Sequence, residues 1–374
     1  MKMQKSKWRD NVMFTYEMPT KLFFGKNCIA QSGDCLAQLG KKALLVTGYH
    51  SAKINGSQRA VLDKLQQLGI SWVIFDEVEN NPSILTVRRA AAFAKTEQVD
   101  FVIAVGGGSP MDAGKVIALL CTNEIDDVQL FGGPYKKPLP IVAVPTTSGT
   151  GSEVTKAAIL TNPHAGTKQS VTDPLLFPSM AFVDPTFTMG ISPVVTIDTA
   201  IDALSHAVEG YMSNNSTPVS DVWAEEAMHF MGPHLTELGS DVSYAAREDL
   251  MYASTLAGIV IAQSGTTLIH GMGYQLTYYK GFTHGRANGM LFPSYMSLMT
   301  ETMPDKVERV WDILHLDGLD EFTNIMNKLM PDTIQLTEED IDFYTKLTMP
   351  TRAVRATAYN VTADVIASIY RQLR

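Results

Sequence analysis

Apolar residues fall in two rhythms along this chain, and the rhythm changes near residue 190. Before that point, short apolar runs alternate with segments whose apolar positions recur at helical spacing. KKALLVTG (41–48), SWVIFD (71–76), DFVIAVGGG (100–108), PIVAVPTT (140–147) and PSMAFVDP (178–185) are predicted strands. SQRAVLDKLQQLG (57–69), ILTVRRAAAFAKTEQ (84–98) and PMDAGKVIALLC (110–121) are predicted helices between them. Strand–helix alternation of this kind builds an open parallel sheet with helices on both faces. After 190 the segments TIDTAIDALSHAVEGYM, VSDVWAEEAMHFMGPHL, AREDLMYASTLAGIVIA, KVERVWDILHL and ADVIASIYRQLR all carry helical periodicity. The expected class is therefore α/β plus all-α. A doubly wound parallel sheet that binds a dinucleotide would span 1–190, and a helical, metal-binding catalytic domain would span 191–374.

Residues 250–279 contain no Asp, Glu, Lys or Arg. Gln263, Ser264, Thr266, Thr267 and His270 make this a buried helix of a large core rather than a membrane span. Composition agrees: 45% of the residues are apolar and 18% charged, as in an ordinary globular protein. A formal net charge of -9 argues against nucleic acid or an anionic membrane as the main partner, since both attract a basic face. Cys28, Cys35 and Cys121 form neither a disulfide framework nor a thiolate metal site, and a reducing cytoplasm is the expected compartment. The stretch MKMQKSKWRDNVMFTYEMP lacks the apolar core of a signal peptide.

Candidate chemistry begins at GGGSPMDAGK (106–115), where an apolar strand turns into a helix. Gly107 and Gly108 would let the backbone approach a pyrophosphate, and the helix N-terminus would offer free amides. Ser109 is expected to cap the helix and donate to phosphate, with Pro110 in the first turn. The motif is not GxGxxG, and a tight turn without a ligand is the competing explanation. A second polar loop, TTSGTGSEV (146–154), presents Thr146, Thr147, Thr150, Ser152 and Val154 at the next strand end. Gly48 stands where an acid would grip the ribose hydroxyls of NAD, and Ser51 and Lys53 follow it. That combination favours NADP, with NAD as the alternative; a solvated lysine on a turn is the plainer explanation.

In the second half, Asp202 and His206 share one helix face, four residues apart. His270 closes the long uncharged run, and His284 sits in the glycine-flanked turn GFTHGRANG. One oxygen and three nitrogen donors would suit Fe²⁺ or Zn²⁺. Lone histidines are more often structural, but these lie in apolar surroundings where unpaired polar groups are costly. His50, His164, His229, His234 and His315 converge less, and His229 and His234 belong to an exposed helix end.

From about Tyr16 to Leu373 the chain resembles the iron-containing (group III) alcohol dehydrogenase family. The resemblance is carried by PTKLFFG (19–25), GGGSPMDAGK, PTTSGTGSEV (145–154), DPTFT (184–188), DALSHAVEGY (202–211), LIHGMGYQL (268–276) and THGRANGMLFP (283–293). It implies a dehydroquinate synthase-like fold with Asp202, His206, His270 and His284 as metal ligands. It also implies Asp112 near the cofactor, Lys168 near its ribose and Phe187 against the nicotinamide. Many relatives carry a histidine, proposed as a proton relay, where this chain has Tyr274, whose phenol ordinarily titrates near 10. NAD-preferring members carry aspartate at the position of Gly48. The expected reaction is hydride transfer between NADP(H) or NAD(H) and a small primary alcohol or aldehyde, with Tyr274, Phe282, Val154 and Phe292 lining the pocket. A homodimer is expected, with KLFFG adding a strand across the subunit boundary. The alternatives are a polyol dehydrogenase of the glycerol dehydrogenase type, a lyase of the dehydroquinate-forming kind and a non-enzymatic dinucleotide-binding protein.

Overall fold

In the computed structural model, which describes residues 13–240 and 242–373, the first half forms a six-stranded parallel sheet. Residues 1–12, which include most of the N-terminal stretch considered above, lie outside the described residues. The strands are β1 (Lys21–Phe24), β2 (Lys42–Gly48), β3 (Ser71–Val78), β4 (Phe101–Gly106), β5 (Ile141–Pro145) and, after an antiparallel hairpin of β6 (Ala157–Asn162) and β7 (Thr167–Thr172), β8 (Met180–Val183). Their order across the sheet is β1-β8-β5-β4-β2-β3.

Side-chain alternation sorts the sheet into two covered faces. Leu44, Val46 and Val102 face the helices Ile84–Thr96 and Gly108–Thr122, whereas Ala43, Leu45, Phe101, Ile103 and Val105 face the helix Ser57–Gln67. Because both faces are dry, β4 is buried along its whole length. The chain winds away in opposite directions from β2 and β4, so the ends of these strands, Gly48 and Gly106, flank the point where the winding reverses. Ligands of doubly wound sheets bind in the crevice at such a point.

Beyond Val183 the elements are helical; among the described residues no further strand forms. Pro193–Tyr211, Pro218–Met231, Tyr244–Ser264 and Ala363–Gln372 each start at a Ser or Thr whose side chain accepts a backbone N–H. Their apolar faces meet in one core that runs from Val154 to Tyr370. No helix among the described residues is long and apolar enough to cross a membrane.

Three expectations are corrected. The uncharged run is two helices: the first stops at Ser264, Gly265 takes a positive φ of 74°, and a second runs Leu268–Lys280. His270 therefore lies in the first turn of a new helix rather than at the end of an old one. His284 is the first residue of the helix His284–Thr302, not part of a turn. Ser109 does not cap its helix; Gly107 occupies that position, and Ser109 Oγ accepts the Asn81 N–H at 3.1 Å. The β6–β7 hairpin was not anticipated, because TKQSVT is polar and half exposed and lacks an apolar strand signature.

The two halves are joined by the loop after β5. Val154 is fully buried in the helical core, and Glu153 accepts the Thr255 hydroxyl at 3.0 Å. Gly151 and Gly258 meet backbone to backbone: a Cβ on Gly258 would stand 2.7 Å from Gly151 Cα. Gly258→Ala should therefore lower global stability by about 1–3 kcal/mol, the range typical of overpacking. Equilibrium denaturation measures this, and a change below about 0.5 kcal/mol would contradict so tight a joint.

Candidate active site

Three buried ligating side chains converge inside the helical half. Asp202, His206 and His270 present donor atoms that all lie within 4.8 Å of one another. His284 joins them from the next helix, its Nε2 at 3.8 Å from Asp202 Oδ1, while His270 Nε2 stands at 3.6 Å from the same oxygen. The first pair follows from helical spacing. The other two are positioned by helix N-termini, and that placement depends on close backbone approach. At Gly285 a Cβ would come to 1.8 Å from the Asp198 carbonyl oxygen, so only glycine after His284 lets this helix start against the Pro193–Tyr211 helix. Thr283 Oγ1 donates to Asp198 Oδ2 at 2.6 Å, and Arg286 pairs with Asp198 at 2.7 Å, fixing the same corner.

Partners that sequence reasoning missed hold the cluster in shape. His206 Nδ1 lies 3.3 Å from the Gly149 carbonyl, so the β5 loop reaches an imidazole of the other half. Glu209, fully buried, pairs with His270 Nδ1. Asn288 Nδ2 sits 2.9 Å from Asp202 Oδ1, 3.1 Å from His270 Nε2 and 3.3 Å from His284 Nε2. Glu209 had a readable signal, an acid on the Asp202–His206 helix with apolar neighbours. Asn288 and Gly149 had none, because their importance comes from tertiary placement.

Electrostatics separate the four groups. Burial would raise the Asp202 carboxyl, but His206 and His284 beside it, with a hydrogen bond from His270, hold it well below the usual range. Burial lowers His206 to about 4, only partly opposed by Asp202. Burial, with the Lys168 ammonium next, keeps His284 well below the ordinary imidazole value. Burial would also lower His270, but Glu209 and Asp202 raise it to about 9. A neutral imidazole and an ionised carboxylate are the ligating forms. The site fits a divalent cation on a further observation: Asp202 Oδ1, His270 Nε2 and His284 Nε2 all face one spot, which the partial positive charge of the Asn288 amide occupies.

Tyr274 stacks on His284 with centroids 5.5 Å apart, and the Lys168 ammonium lies 5.4 Å from the Tyr274 ring centroid. Burial, with Asp202 and Asp112 adding to it, pushes the Tyr274 phenol above its usual value, so it stays protonated. Burial brings Lys168 down to about 8 against the pull of Asp112 and Asp202. Lys168 stands on β7, which places the hairpin over the cluster.

At the sheet, the two candidate cofactor loops press together. A Cβ on Gly108 would stand 2.6 Å from Thr150 Cγ2, and one on Gly107 would stand 3.2 Å from Thr147 Oγ1. Thr146 N–H donates to Gly106 O at 2.9 Å. Asp112 accepts from Ser152 Oγ at 2.6 Å and from Ile159 N–H at 2.9 Å, so it ties helix, loop and hairpin together. Phe187 is buried in the turn Pro185–Thr188. Lys53 is not a free ammonium: it pairs with Asp76 at 2.6 Å. Asp76 lies on β3, which runs parallel beside β2, so the acid absent from the β2 end stands on the neighbouring strand. Phe292 is buried in the helical core with its ring against Phe322, and Val154 packs in the same core. Both serve the core rather than an open pocket wall, whereas Tyr274 and Phe282 remain partly exposed.

A dinucleotide-type sheet facing an Asp–His metal cluster defines a two-domain, metal-dependent oxidoreductase. Residues 19–185 match the iron-containing alcohol dehydrogenase family, and residues 196–373 match the Fe-containing alcohol dehydrogenase family, C-terminal. The chain belongs to the iron-containing alcohol dehydrogenase family. It is 38% identical over 310 residues to the 1,3-propanediol dehydrogenase of Klebsiella pneumoniae, covering 81% of this chain and 79% of that one. The crystal structure of an iron-containing alcohol dehydrogenase from Thermotoga maritima superposes with a TM-score of 0.91 at 40% identity, covering 96% of this chain and 99% of that one. A sulfoacetaldehyde reductase from Bifidobacterium kashiwanohense, in complex with NAD+, superposes with a TM-score of 0.87 at 27% identity over 97% and 99% of the two chains. The protein is an enzyme that uses a metal and NAD(P)(H) to interconvert alcohols and carbonyl compounds.

The protonation pattern has a measurable consequence. At pH 7 Asp202, His206 and His284 have already lost their protons, whereas His270, raised to about 9, keeps its own until the pH rises through that value. Zn²⁺ uptake by the metal-free protein at pH 7 should thus release about one proton per ion. Titration calorimetry in two buffers of different ionisation enthalpy measures the number, and release of none or of three would contradict the assignment.

Proposed function

We propose that this enzyme transfers a hydride between NADP(H) and a small primary alcohol or its aldehyde, with Asp202, His206, His270 and His284 as the ligands of one Fe²⁺. The observation that carries this reading is the convergence of those four side chains beside the loop after β5, which packs on the Gly107–Gly108 turn at the β4 end. Their donor set accepts Zn²⁺ as well. When bound, the ion would supply Lewis acidity toward the substrate oxygen.

The chain's own residues do the rest. Gly107, Gly108, Thr146, Thr147, Thr150 and Ser152 receive the pyrophosphate at the N-terminus of the Gly108–Thr122 helix. Lys168 lies toward the cofactor ribose, Asp112 holds the loop and hairpin that surround it, and Phe187 backs the nicotinamide. Tyr274, stacked on His284 and kept protonated, closes one side of the pocket, excludes water and offers a hydrogen-bond donor to the substrate oxygen. Phe282 adds an apolar edge. The family segments end at 185 and resume at 196, which supports a domain boundary near 190. β1 is the edge strand of its own sheet, with no strand of the described residues on its outer side, and we propose a cytoplasmic homodimer that pairs there.

Two experiments test this reading. His270→Ala and His284→Ala should each lower metal occupancy and reduce turnover by roughly a hundredfold or more, while dinucleotide affinity changes by less than about threefold. Elemental analysis, turnover after Fe²⁺ or Zn²⁺ reloading and dinucleotide titration measure these, and full turnover in metal-free protein would overturn the reading.

For the cofactor, Gly48 leaves room for a 2′-phosphate beside Ser51 and Lys53. NADP(H) should bind about tenfold more tightly than NAD(H), Gly48→Asp should reverse that order, and Asp76→Asn, which frees Lys53, should widen it. Equal dissociation constants for the two cofactors in the wild-type protein would reject the preference.

A further inference from the structure

Glu209 is a carboxylate with no exposed side-chain surface, set in an apolar helix, and its two oxygens have separate partners. Oε1 accepts from Thr267 N–H at 3.0 Å, Thr267 Oγ1 at 2.8 Å and Ile269 N–H at 2.9 Å, with His270 N–H at 3.4 Å. These amides are the unpaired donors of the Leu268–Lys280 helix, whose capping residue Thr267 makes no cap bond of its own. Oε2 pairs with His270 Nδ1. An ionised carboxylate only accepts, so the ring must carry its proton on Nδ1. Nε2, which faces Asp202, is then the nitrogen that carries the lone pair once the ring is neutral, and so the one a metal ion can take.

We propose that Glu209 is the positioning residue of the metal centre: one buried carboxylate starts the Leu268–Lys280 helix and fixes His270 in the tautomer that can bind metal. A carboxylate behind a ligating histidine sets ring orientation and raises ligand basicity, and removing such partners typically costs 10–100-fold in metal affinity. The inference rests on His270 being a ligand, as proposed above.

Glu209→Gln separates the two tasks. Its amide can sit only one way round, because the donors from Thr267 and Ile269 require the carbonyl oxygen on their side. The NH₂ group then faces His270 Nδ1, which must accept, and the ring proton moves to Nε2. The helix start is kept and the ligating lone pair is lost. Thr267→Val does the opposite, removing a donor to Oε1 without touching the Glu209–His270 pair.

Three measurements decide the matter, with Zn²⁺ as the probe. In zinc-loaded wild-type protein labelled with ¹⁵N-histidine, NMR should show His270 with a proton on Nδ1; its absence there overturns the proposal whether or not any variant folds. By chelator competition, Zn²⁺ affinity should fall roughly 10–100-fold in Glu209→Gln. It should stay within about threefold of wild type in Thr267→Val, even where that variant melts at lower temperature. Equal affinity losses in the two variants would mean that Glu209 is only a helix cap, and no loss in Glu209→Gln would also overturn the proposal. If His270→Ala leaves Zn²⁺ affinity unchanged, the ligand assignment itself falls; if it lowers affinity while Glu209→Gln does not, only the positioning role falls.

Discussion

Ionisable groups buried in an apolar helical core must be matched to partners, and that requirement shapes this protein. Asp202, His206, His270 and Glu209 are almost entirely withdrawn from water among residues such as Leu204, Ile269 and Met272. An unpaired charge in such a place costs several kcal/mol. Glu209 is matched by helix amides and an imidazole, and His206 by a backbone carbonyl. The remaining lone pairs point at one another's midst, where a divalent cation satisfies them together. Several local features follow from this. The uncharged run breaks at Gly265 so that a fresh helix N-terminus meets Glu209, and glycine follows His284 so that its helix begins against Asp198.

The same constraint binds the two halves of the chain. The loop after β5 holds the Gly108 turn through Thr150, enters the helical core through Val154 and offers its Gly149 carbonyl to His206. The candidate cofactor loop and an imidazole of the metal cluster therefore meet at one short, tightly packed segment. Groups that must meet within a few tenths of an ångström are best carried on such rigid supports. β7 completes the enclosure, its Lys168 ammonium lying over the Tyr274 ring beside His284.

Much of this was legible in the sequence, for physical reasons. The parallel strands are buried on both faces and read as unbroken apolar runs, as in KALLVTG and FVIAVG. Asp202 and His206 share a helix face by spacing alone. His270 and His284 stood out by their apolar surroundings and by the resemblance, since spacing did not fix them, and their exact settings were misread because helix starts depend on tertiary packing at Gly265 and Gly285. The polar strand β7 left no apolar signature. The Lys53–Asp76 pair arises from the parallel register of β2 and β3, which separates its members by 23 residues in the chain. Val154 and Phe292 were assigned to a pocket on apolar character, a property that core and pocket residues share.

All of this turns on the proposal that Asp202 and three histidines complete their bonding around one ion. X-ray absorption at the iron edge of Fe²⁺-loaded protein measures that bonding. Iron held in this way has only nitrogen and oxygen neighbours at about 2.0–2.2 Å, with outer-shell scattering from imidazole rings. A first shell of oxygen alone, without the imidazole signature, would place the iron elsewhere and contradict it.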